Sequence, residues 1–230
     1  MAAPDRPLKL GEVFVETIRI YQERLPAALG LGAVAAGGFL VGFLTGHLVP
    51  FLLIAAATYT ASYAAAVRLV AGDPFREAWA QLSLRAPTLG VLALVVGVPF
   101  VLGRVDPLLL LFAVLWQALV GFSVPAAAVE RGPSPYAPSG VGFALWRSVG
   151  LARAEYLHSL GVVCALVIVY LIFGPVLGWA LIGFADNTGL AATIVVNVVV
   201  APFFFLGLSV LFFEQRARAA VSSRGEAADA

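Results

Sequence analysis

Residues 25–45 read LPAALGLGAVAAGGFLVGFLT, with no charged side chain. A helix rises 1.5 Å per residue and a bilayer's hydrocarbon core is about 30 Å thick, so roughly 20 apolar residues cross it. This run is long enough. Five more follow: 48–70, 87–103, 107–129, 157–183 and 190–213. Only helices and closed barrels satisfy their backbone inside lipid. These runs are too continuously apolar for barrel strands, which alternate. The expected fold is therefore an all-α polytopic membrane bundle of six transmembrane helices, forming one integral membrane domain over 1–230.

Composition agrees. Of 230 residues, 61% are hydrophobic and 12% charged, and mean hydropathy is +0.98. Soluble domains are nearer half apolar and a quarter charged. The single cysteine, Cys164, rules out an internal disulfide and a cysteine-built metal centre. Two histidines, His47 and His158, are too few for most histidine metal sites. No metal or cofactor is expected. The net charge of +1 argues against nucleic acid as a partner. Membrane lipids and a membrane protein partner are the expected ones.

Six spans place both termini on one side, together with residues 71–86 and 130–156. That side holds all of the 14 Lys and Arg except Arg104. Such asymmetry marks the cytoplasmic side. Residues 1–7 lead into a mixed polar segment, so no removable signal peptide is expected.

The chain also reads as three degenerate copies of one unit, 8–70, 74–129 and 140–213, followed by a disordered tail over 219–230. Each unit opens with a shorter amphipathic helix expected at the membrane interface. In 8–24 the apolar positions Leu10, Phe14, Ile18, Tyr21 and Leu25 follow helical spacing, with charges opposite. In 74–85 the apolar face is Phe75, Trp79 and Leu82, with Asp73 as N-cap and Pro74 at N1. The third, about 140–155, places Phe143 beside Trp146. Arg24-Leu25-Pro26 and Arg85-Ala86-Pro87 then introduce their spans alike.

No charged residue lies mid-span. The polar residues there are Thr58, Thr60, Ser62, Tyr63, Gln117 and Asn197. They either bond between helices or line a cavity. Gly38, Gly42 and Gly46, four apart, form a small-residue face for close helix packing, within the chain or between copies. Pro125, Pro175 and Pro202 each remove a backbone donor and are expected kinks. Asn197 is placed to satisfy the carbonyl that Pro202 frees. Searches for His-Glu-x-x-His, Gly-x-Ser-x-Gly and phosphate-loop patterns find nothing. Asp106 and Asp186 read as turn residues.

Three stretches carry a resemblance. They are Leu8-x-Leu10-Gly11-Glu12-x-Phe14 through Tyr21 to Leu25-Pro26; Val124-Pro125-x-x-x-Val129-Glu130 with Arg147-Ser148-x-x-Leu151; and Pro202 with Phe212-Phe213-Glu214-Gln215-Arg216-Ala217-Arg218. Together they resemble the membrane domain of the glycerophosphoryl diester phosphodiesterase family and its free-standing bacterial relatives, over about 8–218. Tyr is usual there where Phe213 stands. The resemblance implies no phosphodiesterase activity, because that chemistry belongs to a soluble domain whose metal-binding acids and paired histidines are absent from these residues. The expected role is a non-catalytic scaffold or accessory subunit of the bacterial plasma membrane in a lipid- or envelope-related process. The alternative is a protein that binds or moves a lipid or small apolar molecule.

Overall fold

The computed structural model describes residues 4, 6–102, 107–130, 139–181 and 188–228. Nine helices account for nearly all of them: α1 Leu10–Glu23, α2 Leu25–Leu44, α3 Leu48–Ala71, α4 Phe75–Ser83, α5 Ala86–Leu102, α6 Leu108–Val129, α7 Ser139–Ala154, α8 Tyr156–Leu181, and α9, which runs Thr188–Val199 and resumes as Ala201–Ala228. Helices α2, α3, α6, α8 and α9 are each long and apolar enough to cross a membrane, and α5 makes the sixth span when taken with α4, from which it turns by 87°. The fold is an all-α helical membrane bundle.

The packing order is cyclic. Spans α2 and α3, α5 and α6, and α8 and α9 pair as hairpins. The first span of each hairpin also packs on the second span of the preceding one: α5 on α3, α8 on α6, and α2 on α9, closing the ring. The short helices follow the same rule, with α4 on α3, α7 on α6 and α1 on α9. The core is the convergence of the second spans α3, α6 and α9. Ala64–Val67 of α3, Val124 and Ala126 of α6, and Phe205 and Val210–Phe212 of α9 are all fully buried. A helix apolar on every side is buried on every side. That describes α9, 72% of whose most apolar window is covered by protein, against 28% for α8. The outer residues, such as Leu108, Leu111 and Leu157, are exposed, as lipid-facing positions are.

Apolar surface gains little by leaving lipid for protein, so membrane helices associate through close packing and hydrogen bonds. The glycines of α2 supply the close packing. A Cβ on Gly38 would overlap Thr58 of α3, and one on Gly42 would sit 3.1 Å from the Cα of Phe51. These contacts lie within the chain. Gly46 plays a different part from the one expected. It has φ +67° and open space around it, because it ends α2 in the left-handed conformation that glycine adopts without strain. Gly32, six residues before Gly38, makes a close approach to backbone: its Cβ would overlap the carbonyl oxygen of Val198.

Several local expectations shift. The fully buried face of α1 is Val13, Thr17 and Ile20; of the expected stripe Phe14 and Tyr21 are half-buried and pack on the core, while Leu10, Ile18 and Leu25 are exposed. Helix α1 lies against α9, with Phe14 6.0 Å from the ring of Phe203, while Leu10, Val15 and Ile18 face outward. Helix α4 starts after Pro74; Asp73 does not cap it but pairs with Arg68 at 2.7 Å. Residues 219–228 are not a tail but the end of α9. Arg216, Ala217, Arg218, Ala219 and Ala220 are strong helix formers that carry it on. Arg104, Asp106 and Asp186 lie outside the described residues.

Gly32→Ala should lower thermal stability by about 1–3 kcal/mol, because α2 must move off α9. Gly37→Ala, in open space on the same helix, should be neutral or stabilising by up to about 1 kcal/mol. Thermal unfolding of both variants in detergent checks the contrast.

Candidate functional site: a cavity between α2, α3, α5 and α9

The prolines decide the local shape of the bundle. Proline leaves the carbonyl four residues earlier without its helical donor. The helix breaks fall just before two expected kinks, at Gly121–Phe122 ahead of Pro125 and at Val200 ahead of Pro202. Helix α8 continues as one helix through Pro175. A fourth proline, Pro99, sits beside a π-helical turn at Ala93–Gly97 in α5. The carbonyl of Val95, which Pro99 cannot serve, accepts a bond from the indole Nε1 of Trp116 on α6 at 2.8 Å. At the α9 break, the hydroxyl of Tyr21 on α1 donates to the carbonyl of Val199 at 2.9 Å. Asn197 does not serve the carbonyl freed by Pro202; its Nδ2 donates to Thr193 in its own helix at 2.8 Å. That freed carbonyl, of Val198, faces Gly32 instead.

The polar residues singled out from the sequence do not converge. Thr58 bonds back to Ile54 and Ala55 of its own helix. Ser62 reaches across to the carbonyl of Leu31 on α2 at 3.1 Å. Thr60 lies against Gly97 of α5, where a Cβ would come 2.9 Å from its hydroxyl. Thr60, Tyr63 and Gln117 are buried with no hydrogen-bond partner among the described residues. They sit in solid core.

Of this group, Asn197 opens onto a space. It lines a partly enclosed cavity of about 160 Å³ together with Ala35 and Phe39 of α2, Phe51, Ala55 and Tyr59 of α3, and Val101 of α5. The cavity lies toward the α2–α3 turn, at the opposite end from the arginines. An apolar cavity of about 150 Å³ is enough to take benzene. Small Ala35 and Ala55 leave the room. Phe39 and Phe51 meet edge to face at 5.4 Å and wall one side. Tyr59 stacks on Phe100 at 4.6 Å and is fixed there. The amide of Asn197 is oriented twice, by Thr193 and by the hydroxyl of Tyr170, which donates to its Oδ1 at 3.2 Å. An amide has a second N–H and a second lone pair on its oxygen, so it retains capacity for one polar atom of an occupant. Sequence reading missed Tyr59 and the aromatic walls, although Phe51, Ala55 and Tyr59 are spaced four apart on one face of α3.

The opposite end is closed by charge. Arg24 donates to the carbonyl of Asp73, and Arg68 to that of Ala128 at 3.0 Å. Arg85 donates to Ala127 and Glu130, capping the end of α6. Glu214 is fully buried. It accepts from the Leu8 N–H at 3.4 Å, from Gln215 at 2.9 Å and from Arg218, with His158 at 3.7 Å. Arg218 also donates to the Leu8 carbonyl and to Glu155. The starts of α2, α5 and α8 and the ends of α3, α6 and α9 thus meet at one end. Outside the spans, the carboxyl of Glu12 is held below its ordinary range, first by the Lys9 N–H and then by Arg6. Among the described residues, no group of three His, Cys, Asp or Glu is placed to hold a metal.

No protein-family model, curated protein or solved structure matches this chain.

Gln117→Leu should leave stability unchanged or raise it by about 1 kcal/mol, since it removes a buried unpaired amide. Asn197→Leu should lower it by about 1 kcal/mol through loss of both bonds. Thermal unfolding in one detergent compares the two.

Proposed function

We propose that the chain is a non-catalytic multi-pass protein of the bacterial plasma membrane, with both termini cytoplasmic, that binds an apolar molecule or lipid chain in the α2–α3–α5–α9 cavity. The observation that carries this reading is the cavity itself: apolar and aromatic walls with one oriented amide. Ligand sites in membrane and soluble proteins alike combine an apolar lining with few, fixed polar groups. The occupant is an apolar body carrying one hydrogen-bonding atom. The cavity shifts the preferred role from scaffold or accessory subunit to binding.

Two further observations support the setting. The arginines gather at one end of the bundle, the pattern of a cytoplasmic face. The resemblance to the membrane domain of the phosphodiesterase family suits a lipid-related role, and its Phe212–Arg218 stretch supplies Glu214 and Arg218 to the charged closure.

Photolabelling tests the reading. A phosphatidylcholine with a diazirine near its acyl terminus should label peptides containing Phe51–Tyr59 and Val101. Ala55→Leu, which fills the cavity, should cut that labelling about tenfold, the equivalent of 1.4 kcal/mol. Labelling confined to outward faces such as Leu108 and Leu111, or insensitive to Ala55→Leu, would contradict it.

A further inference from the structure

At the arginine-rich end, a second concavity lies between the end of α6, α7 and α9. It is an open groove of about 450 Å³ lined by Val129, Glu130, Phe143, Trp146, Arg147 and Arg216. Its charges do not balance: two guanidinium groups face one carboxylate. The Nε of Arg147 donates to both oxygens of Glu130, at 2.9 and 3.2 Å. The Nε of Arg216 lies 3.8 Å from Glu130 Oε1, with its guanidinium over the Phe213 ring at 5.8 Å. Glu130 therefore holds both side chains by their inner nitrogens. Their terminal nitrogens carry no hydrogen bond among the described residues, and both side chains remain partly exposed, at 33% and 45%. The backbone of Glu130 is itself fixed by Arg85. Beside this pair, Trp146 is 73% exposed.

We propose that this groove binds the phosphate of an anionic phospholipid head group. Paired guanidinium groups with free outer N–H donors match phosphate oxygens in geometry as well as charge. Basic pockets between spans at the cytoplasmic side suit anionic head groups. An exposed tryptophan at the same level suits the head-group region, where its ring is half apolar and its N–H polar. Glu130 offsets one charge and leaves a net positive site, so a phosphodiester of charge −1 matches it. The groove is separate from the apolar cavity and does not depend on that cavity being occupied.

The test is native mass spectrometry of the full chain extracted from bilayers of equal phosphatidylglycerol and phosphatidylcholine, which share the phosphate but differ in net charge. The wild type should retain phosphatidylglycerol preferentially. Arg216→Gln, at a half-exposed position held by a long ion pair and the Phe213 ring, should reduce that preference about fivefold. Arg216→Lys, which keeps the charge but not the planar fork, should also lose part of it. Equal retention of the two lipids, or a preference unchanged in Arg216→Gln, would overturn the proposal. Saturable binding of soluble glycerol phosphate in purely phosphatidylcholine bilayers, abolished by Arg216→Gln, would overturn the lipid as source in favour of a soluble phosphate ester.

Discussion

Pro99 has no N–H, so the carbonyl of Val95 loses its α-helical donor, and in hydrocarbon no water replaces it. An unmet backbone group there costs several kcal/mol. The indole of Trp116 meets it from the next helix. Side chains from other helices meet further carbonyls at several helix ends and breaks. Tyr21 serves Val199 at the α9 break, and Arg68 and Arg85 serve the last carbonyls of α6. Ser148 of α7 reaches Leu119, two residues before the α6 break. Each donor comes from a different helix than its acceptor. These bonds therefore fix which helices are neighbours as well as satisfying the backbone.

The cyclic packing distributes close contact unevenly. The second spans converge at the arginine-rich end, where Glu214 draws in Leu8, Gln215 and Arg218, and alanines and phenylalanines fill the interior. At the other end α2 and α3 are held together by Gly38 and Gly42, while Ala35 and Ala55 leave space that Phe39 and Phe51 do not fill. One half of the bundle is thus sealed by charge and packing. The other half holds the apolar cavity, and the chemistry of its walls follows from that position.

The spans were legible because one-dimensional apolar length is what a bilayer selects. The runs beginning at Leu25 and Leu48 coincide with α2 and α3 at their first residue, and the short third run became α5. Less of the site could be read. The row Thr58, Thr60, Ser62, Tyr63 spans more than one helical turn, so its members point toward different neighbours, and only Asn197 reached the cavity. Gly46 continued a four-residue spacing by coincidence, because a helix end and a packing face both favour glycine. Glu214 lies just past the end of the last apolar run, 190–213, and its burial follows from Leu8, His158 and Arg218, which tertiary packing brings to it. Pro99 was passed over for Pro125, Pro175 and Pro202, and the partner of its freed carbonyl lies on another helix.

The most direct test of this account is the infrared frequency of one carbonyl. With ¹³C=¹⁸O placed at Val95 in the protein in bilayers, the amide I band should lie at the low frequency of a hydrogen-bonded carbonyl. It should rise in Trp116→Phe, which keeps the ring and removes the donor. A Val95 band at the same frequency in both proteins would contradict the claim that the Trp116 indole from the next helix meets the carbonyl beside Pro99.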